Sequence, residues 1–247
     1  MSLRRYFKAT REPRYSIVFA VPLLLLYEVL AVASSHSAFA GVRNGADVLL
    51  KTLFVSLGGR NGLLAFDLLL LGVGGWFVWR DRRHNGGGVD SRVFAGMLAE
   101  SVFYAAVLGS TVSLLTAWFL GGPLYILQAG SAQISLGSQL IVSLGAGIYE
   151  ELLFRVLLVG ALVAVGTRLN WSRPVSVAVA VLGSALIFSG FHYVGSLGDQ
   201  FTVPSFTYRA IAGILLSGLY VARGFGITAW SHALYDIGLT LLISPSS

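Results

Sequence analysis

The chain contains no cysteine and few charged residues, and both shortages narrow what it can be. Without cysteine there is no disulfide, no thiolate metal site and no cysteine nucleophile, and the redox compartment is left undetermined. Only 11% of the 247 residues are charged, against about 25% in a typical soluble domain. Hydrophobic residues make up 55%, and mean hydropathy is +0.77. A soluble fold of this size could not bury so much apolar surface, so the composition indicates an integral membrane protein.

Apolar stretches of the length that a bilayer requires recur along the sequence. A membrane-spanning helix needs roughly 20 mostly apolar residues. Seven such stretches lie near residues 15–35, 62–79, 93–120, 138–166, 174–194, 206–222 and 226–244. Segment 47–57 is short and charged, so we expect an interfacial or half-buried helix there, and its insertion would add an eighth span. The predicted fold is an all-α polytopic transmembrane bundle of about seven to eight spans.

Basic residues are divided unevenly between the two sets of connections. Twelve lie in the N-terminal tail and in every second connection after it: Arg4, Arg5, Lys8, Arg11, Arg14, Arg80, Arg82, Arg83, Arg92, Arg168, Arg173 and Arg223. The alternate connections hold three, Arg43, Lys51 and Arg60. Because cytoplasmic loops carry the excess of Lys and Arg, the N-terminus is predicted to be cytoplasmic.

This topology also accounts for the formal net charge of +6, so we expect no nucleic-acid partner. The excess of Arg over Lys is typical of GC-rich bacterial genomes, and the predicted location is the bacterial plasma (inner) membrane. The expected partners are the lipid bilayer and a peptide or membrane-anchored protein substrate.

Ionisable residues within spans are costly unless they pair or face a wet cavity. In residues 1–137 such residues are isolated: Glu28, Asp67 and Glu100 are each expected to make interhelical hydrogen bonds or to lie near the membrane interface. In residues 138–247 they recur at helical spacings. We therefore divide the chain into N-terminal helices without a recognised motif (1–137) and a helical core that carries the candidate site (138–247).

Two adjacent carboxylates in the fourth span are predicted to differ in role. Glu151 and Arg155 are four residues apart, with the acid N-terminal to the base, which is the favourable order for an ion pair. Glu150 lies about 100° further round an α-helix. Glu151 can thus be neutralised by Arg155, while Glu150 stays free to act as a general base.

Two histidines complete the candidate site. His192 follows the small residues Ser189 and Gly190, which permit close approach of another helix. His232 and Asp236 are four residues apart on one face, so the carboxylate could orient the imidazole. Because the chain has only four histidines, two of them beside a Glu-Glu-Arg cluster favour a functional interpretation.

The order of these motifs resembles the CAAX protease and bacteriocin-processing (CPBP) family, which includes the type II CAAX prenyl endopeptidases and the bacterial Abi proteins. The resemblance covers roughly residues 138–244 and rests on three motifs: Glu150-Glu151-x-x-x-Arg155, Phe188-x-x-x-His192 and His232-x-x-x-Asp236. It implies an intramembrane endopeptidase that acts near the C-terminus of, or within, a membrane-associated substrate.

By the same resemblance, Glu150 and His192 would activate the attacking water, and His232 and Asp236 would line the site and stabilise the oxyanion. Glu151 and Arg155 would support Glu150. Asp236 departs from the commoner Asn of the family. It is expected either to be protonated and donate a hydrogen bond, or to hold a protonated His232, the arrangement that we favour.

The resemblance leaves open a glutamic-type peptidase and a metallopeptidase. If zinc were present, its ligands would be Glu150, His192 and His232, with a fourth position for water. The compact His-Glu-x-x-His motif is absent. We expect no obligatory metal and no other required cofactor.

Two other functions remain as alternatives. The chain could be a non-catalytic immunity or scaffold member of the family, or an ion- or proton-coupled transporter that uses its buried charges as a relay. A transporter predicts charges along a path and two related halves with broken helices. Here the polar residues concentrate in the C-terminal half and the sequence has no visible repeat.

Overall fold

A computed structural model describes residues 2–34, 42–85, 88–122, 135–195 and 198–243, and these residues form helices without any strand. The α-helices are α1 (Leu3–Ala9), α2 (Pro13–Ser34), α3 (Gly45–Gly58), α4 (Gly62–Asn85), α5 (Ser91–Leu120), α6 (Leu136–Gly145), α7 (Gly160–Arg168), α8 (Arg173–Phe191), α9 (Val203–Arg223) and α10 (Phe225–Ile243). A short 3₁₀ turn (Gly59–Asn61) links α3 to α4, and a π-helical segment (Ala146–Val159) joins α6 to α7. The predicted all-α polytopic bundle is confirmed.

Each predicted span coincides with a helix. Among the described residues, five helices are long and apolar enough to cross a membrane: α2, α4, α5, α8 and α9. The other two predicted spans are the continuous helix formed by α6, the π segment and α7, and helix α10. Both carry candidate site residues. The count of seven crossings stays a prediction. Helix α3 has 14 residues, in agreement with the short helix expected near 47–57.

The basic connections meet at one end of the bundle, which we call the basic end. The turn between α9 and α10 lies there, because Gly226 donates its N–H to the Ser16 hydroxyl of α2 at 2.9 Å. Arg223 pairs with Glu100 of α5, with 2.5 Å between Nε and Oε1. The Tyr6 hydroxyl of α1 donates to the same carboxylate at 2.8 Å. Burial and the Glu100 carboxylate raise the pKa of Tyr6, so its phenol remains a donor at neutral pH.

At the opposite end, α2 and α3 share a cluster of four charges. The Asp47 carboxylate is fully buried and lies 2.7 Å from Arg43 and 2.8 Å from Lys51. Glu28 of α2 lies 3.3 Å from Arg43 and 2.7 Å from Lys51. Two acids thus neutralise two bases. The interhelical bonding expected for Glu28 and Glu100 is confirmed, whereas Asp67 is exposed near the start of α4.

The two halves of the chain share one hydrophobic core. Tyr27 of α2, Ala46 of α3 and Phe66 of α4 pack in the same cluster as Ile148 of the π segment and Ala233 of α10. The division at residue 138 therefore describes where the recognisable motifs lie. It does not correspond to separate packing units.

Helix α10 packs against the π segment at a point where there is no room for a larger side chain. A Cβ at Gly147 would lie 2.5 Å from the Ala229 carbonyl oxygen and 2.6 Å from the Ala233 methyl group. Small residues permit such close helix approach within membranes.

Gly147→Ala should therefore separate α10 from the π segment and destabilise the protein by about 1–3 kcal/mol, the usual cost of overpacking. Gly218→Ala in α9 is the matched control, because a Cβ there meets nothing within 4 Å. The higher helix propensity of alanine should leave that variant as stable as the parent or slightly more so. Thermal unfolding in detergent measures both, and equal melting temperatures for the two variants would contradict the close contact.

Candidate active site

The Glu-Glu-Arg motif lies on the π-helical segment Ala146–Val159. A π-helix forms i→i+5 hydrogen bonds and has wider turns than an α-helix, and such segments are rare and frequent at functional sites. The α-helical angle expected between Glu150 and Glu151 is therefore wrong in detail. Glu150 and Glu151 still leave the backbone in different directions and have different partners.

Glu151 is fully buried and contacts the guanidinium of Arg155 and the imidazole of His232. Its Oε1 lies 3.0 Å from Arg155 Nη1 and 2.6 Å from His232 Nδ1. The pairing with Arg155 follows the predicted spacing. The contact with His232 of α10 was not predicted, because 81 residues separate the two. One carboxylate thus joins the π segment to α10.

Arg155 extends this cluster to α8. Its side chain is fully buried, and its guanidinium carbon lies 4.5 Å from the centre of the Phe188 ring. A cation over an aromatic face is attracted by the ring quadrupole, most strongly where water is excluded. Phe188, which opens the second motif, therefore packs directly against the ion pair.

Both imidazoles pack on the same Phe188 ring. The centre of the Phe188 ring lies 4.8 Å from the centre of the His192 imidazole and 6.2 Å from that of His232. His192 caps the end of α8, and its Nδ1 lies 2.9 Å from the Phe188 carbonyl oxygen. Because a carbonyl only accepts, Nδ1 carries the proton, and Nε2 of the neutral ring is left as an acceptor. His192 and His232 both interact electrostatically with Glu150.

Asp236 lies one turn beyond His232 and is 28% exposed. Its Oδ2 is 3.5 Å from His232 Nε2, whereas Glu151 is 2.6 Å from Nδ1 of the same ring. His232 thus lies between two carboxylates. The favoured pairing of His232 with Asp236 is the longer of these two contacts, and Glu151 holds the imidazole more closely.

Glu150 has a neutral partner that sequence reasoning missed. Its Oε1 accepts a hydrogen bond at 2.8 Å from the side-chain amide of Asn44, which lies 106 residues earlier. The Asn44 oxygen caps α3 by accepting the Ala46 N–H at 2.9 Å, and the Asn44 N–H donates to Tyr27. Asn is a common N-cap residue, but nothing in the sequence indicates which side chain its free amide meets.

A second polar cluster lies beside His192. Arg209 of α9 pairs with Asp199 and donates to the hydroxyls of Tyr193, at 3.0 Å, and Ser205, at 2.6 Å. The Asp199 N–H donates to the His192 carbonyl at 2.9 Å. This cluster fixes the chain that follows His192. The charge of Arg209 is matched by Asp199.

The possible zinc ligands do not form a metal site as they stand. Among the residues that the structure describes, no three His, Asp or Glu side chains are grouped closely enough to hold a metal ion. We therefore assign no step to a metal.

Known proteins are matched over the part of the chain that carries these groups. Residues 132–238 match the family model for Rce1-like type II CAAX prenyl endopeptidases. This Rce1-like segment contains all three motifs, so the resemblance stated from the sequence is confirmed, and the match supports a membrane-embedded peptidase. Neither a curated protein nor a solved structure matches the chain. The supporting residue Asn44 lies outside the Rce1-like segment.

The two acids should differ in what their loss does to stability. Glu151→Gln removes the counter-charge of fully buried Arg155, and breaking such a pair typically costs about 3–5 kcal/mol. Glu150→Gln keeps an oxygen that can accept from Asn44, so it should cost about 1 kcal/mol or less. Thermal unfolding of the purified variants measures both. If Glu150→Gln were the more destabilised of the two, the assignment of Glu151 as the structural acid would be wrong.

Proposed function

We propose that the protein is an intramembrane endopeptidase in which Glu150 and His192 activate a water for attack on a peptide carbonyl. The observation that supports this most directly is that the two adjacent acids have different partners. Glu151 is committed to Arg155 and His232, whereas the hydrogen bond described for Glu150 comes from the neutral side-chain amide of Asn44. A carboxylate without a bound cation keeps its capacity to accept a proton.

In the proposed reaction, Glu150 takes a proton from water as the oxygen attacks the carbonyl carbon. Nε2 of His192 accepts a hydrogen bond from the same water, or it receives the proton from Glu150 and passes it to the leaving amine. His232, fixed by Glu151, donates to the developing oxyanion, where a preorganised donor acts most strongly in a site that excludes water. Asp236 would then keep His232 protonated, and the two products are a new carboxylate and a free amine.

The substrate is proposed to be a peptide or membrane-anchored protein cut within, or near the C-terminus of, a membrane-associated segment. This follows from the position of the site among apolar helices and from the family of the Rce1-like segment. Neither observation indicates whether the substrate is prenylated.

Glu150→Gln should abolish cleavage while the protein still folds, because it removes the base and keeps the shape of the side chain. Membranes from cells that express the parent or the variant would be compared by proteomics of protein C-termini. New C-termini should appear with the parent and disappear with Glu150→Gln. Asp67→Asn, which alters an exposed acid of α4, is the matched control and should retain them. If Glu150→Gln and the parent give the same C-termini, the peptidase proposal fails and a non-catalytic role is favoured.

Activity on a substrate found in this way should survive prolonged chelation. Glu150 and His192 suffice for the proposed water activation, and the described residues form no metal cluster. Elemental analysis of the purified protein should show no stoichiometric zinc. Loss of activity with chelator and its return with zinc would instead establish a metallopeptidase with Glu150, His192 and His232 as the expected ligands.

A further inference from the structure

The side-chain amide of Asn44 has a different partner at each of its two ends. Asn44 is 2% exposed, and its oxygen accepts the Ala46 N–H at 2.9 Å, which caps α3. Its nitrogen donates to Glu150 Oε1 at 2.8 Å. An N–H on one side and a carboxylate on the other allow only one orientation of the amide, because its oxygen accepts and its nitrogen donates.

The backbone of Asn44 is fixed by a hydrogen bond and by close packing. Its N–H donates to the Tyr27 hydroxyl at 3.2 Å, and that hydroxyl donates to fully buried Asp47 at 2.7 Å. Gly145, the last residue of α6, lies against both side chains, since a Cβ there would be 2.6 Å from Asn44 Cβ and from Tyr27 Cε2. The amide nitrogen therefore has a set position relative to the π segment, which begins directly after Gly145.

The bond from Asn44 restricts the orientation of the Glu150 carboxylate. Oε1 accepts this bond, whereas Oε2 has no hydrogen bond to any residue that the structure describes. A general base must present an oxygen to the proton that it abstracts, at about 2.6–3.2 Å from the donor atom. Asn44 lies outside the Rce1-like segment, so none of the three motifs reveals it.

We propose that Asn44 is a positioning residue of this site: its amide holds Oε1 and orients the carboxylate so that Oε2 takes the proton from the attacking water. The inference rests on the proposed function. The proton passes from water to Oε2 while the water oxygen bonds to the carbonyl carbon, and Asn44 keeps both of its amide protons. Because Asn44 touches neither the water nor the substrate, its loss should lower kcat and leave KM unchanged.

Asn44→Asp separates the amide donor from the helix cap, because Asp has the same shape and caps a helix as well as Asn does. The introduced carboxyl group can donate to Glu150 only while it is protonated, and once ionised it repels Glu150. We expect kcat to fall roughly 10–100-fold, the scale of a misplaced reacting group. The ratio of variant to parent kcat should fall further as pH rises. A role in capping alone predicts the opposite trend, since an ionised carboxylate stabilises a helix N-terminus.

The assay uses the full-length protein in detergent and a synthetic peptide that spans a cleavage site found by the proteomics of C-termini. Rates are compared as a ratio to the parent, because the other titratable and charged groups around the contact are the same in both proteins. These groups are Tyr27, Arg43, Asp47, Arg155, His192, His232 and Asp236.

Asn85→Asp is the matched control. Asn85 donates its amide to Asp81 at 2.6 Å near the end of α4, so the same substitution creates a similar pair of carboxyl groups away from the site. It should keep the kcat of the parent. Asn44→Ser is a second variant, which keeps a capping oxygen on a side chain one bond shorter. It should lower kcat without the added pH dependence, and it decides the outcome if Asn44→Asp fails to fold.

An exchange of the two groups gives a readout that needs no activity. Asn44→Asp combined with Glu150→Gln leaves one carboxylate and one amide in contact. This double variant should recover the melting temperature lost in Asn44→Asp and stay inactive, because the base is gone. No recovery in the double variant, or a parental kcat in Asn44→Ser, overturns the inference and leaves the proposed function intact. Cleavage by Glu150→Gln alone would instead overturn the proposed function, and the inference with it.

Discussion

The structure depends on the buried contact of the Glu151 carboxylate with Arg155 and His232. A charge removed from both water and lipid headgroups costs several kcal/mol unless it is paired. Glu151 meets this requirement with one cation on its own helix and one imidazole on α10, while Arg155 lies over Phe188 of α8. The arrangement holds three helices at one point. It also fixes the positions from which Glu150, His192 and Asp236 project, so the geometry of the proposed chemistry follows from a buried contact in which Glu151 and Arg155 have a structural role.

The N-terminal half supports the site although it carries no recognisable motif. Tyr149, which precedes Glu150, donates its hydroxyl to Glu28, and Glu28 belongs to the four-charge cluster of α2 and α3. Asn44 reaches Glu150 from the start of α3. The two neighbouring positions on the π segment are thus held by helices outside the Rce1-like segment. An isolated 138–247 fragment would lack both supports.

Hydropathy was enough to predict where the long helices lie, because the bilayer fixes helix length and permits few polar residues within it. Spacing of four was enough to predict the pairing of Glu151 with Arg155, since that contact is local. Three features were beyond sequence reasoning. The π geometry of 146–159 carries no proline or other local signal. The contacts of Glu151 with His232 and of Glu150 with Asn44 join residues 81 and 106 positions apart, and only packing of the whole bundle brings them together.

The charged side chains of two clusters at the end of the bundle opposite the basic end are balanced pair by pair. Arg43 and Lys51 are matched by Glu28 and Asp47, and Arg209 is matched by Asp199. Neutral clusters of this kind produce little field beyond a few ångströms, and salt screens what remains over about 8–10 Å. Under the proposed function, a peptide would accordingly approach these clusters without long-range steering, and its capture would vary little with ionic strength. Selection among peptides would then depend on shape and on backbone contacts made close to Glu150.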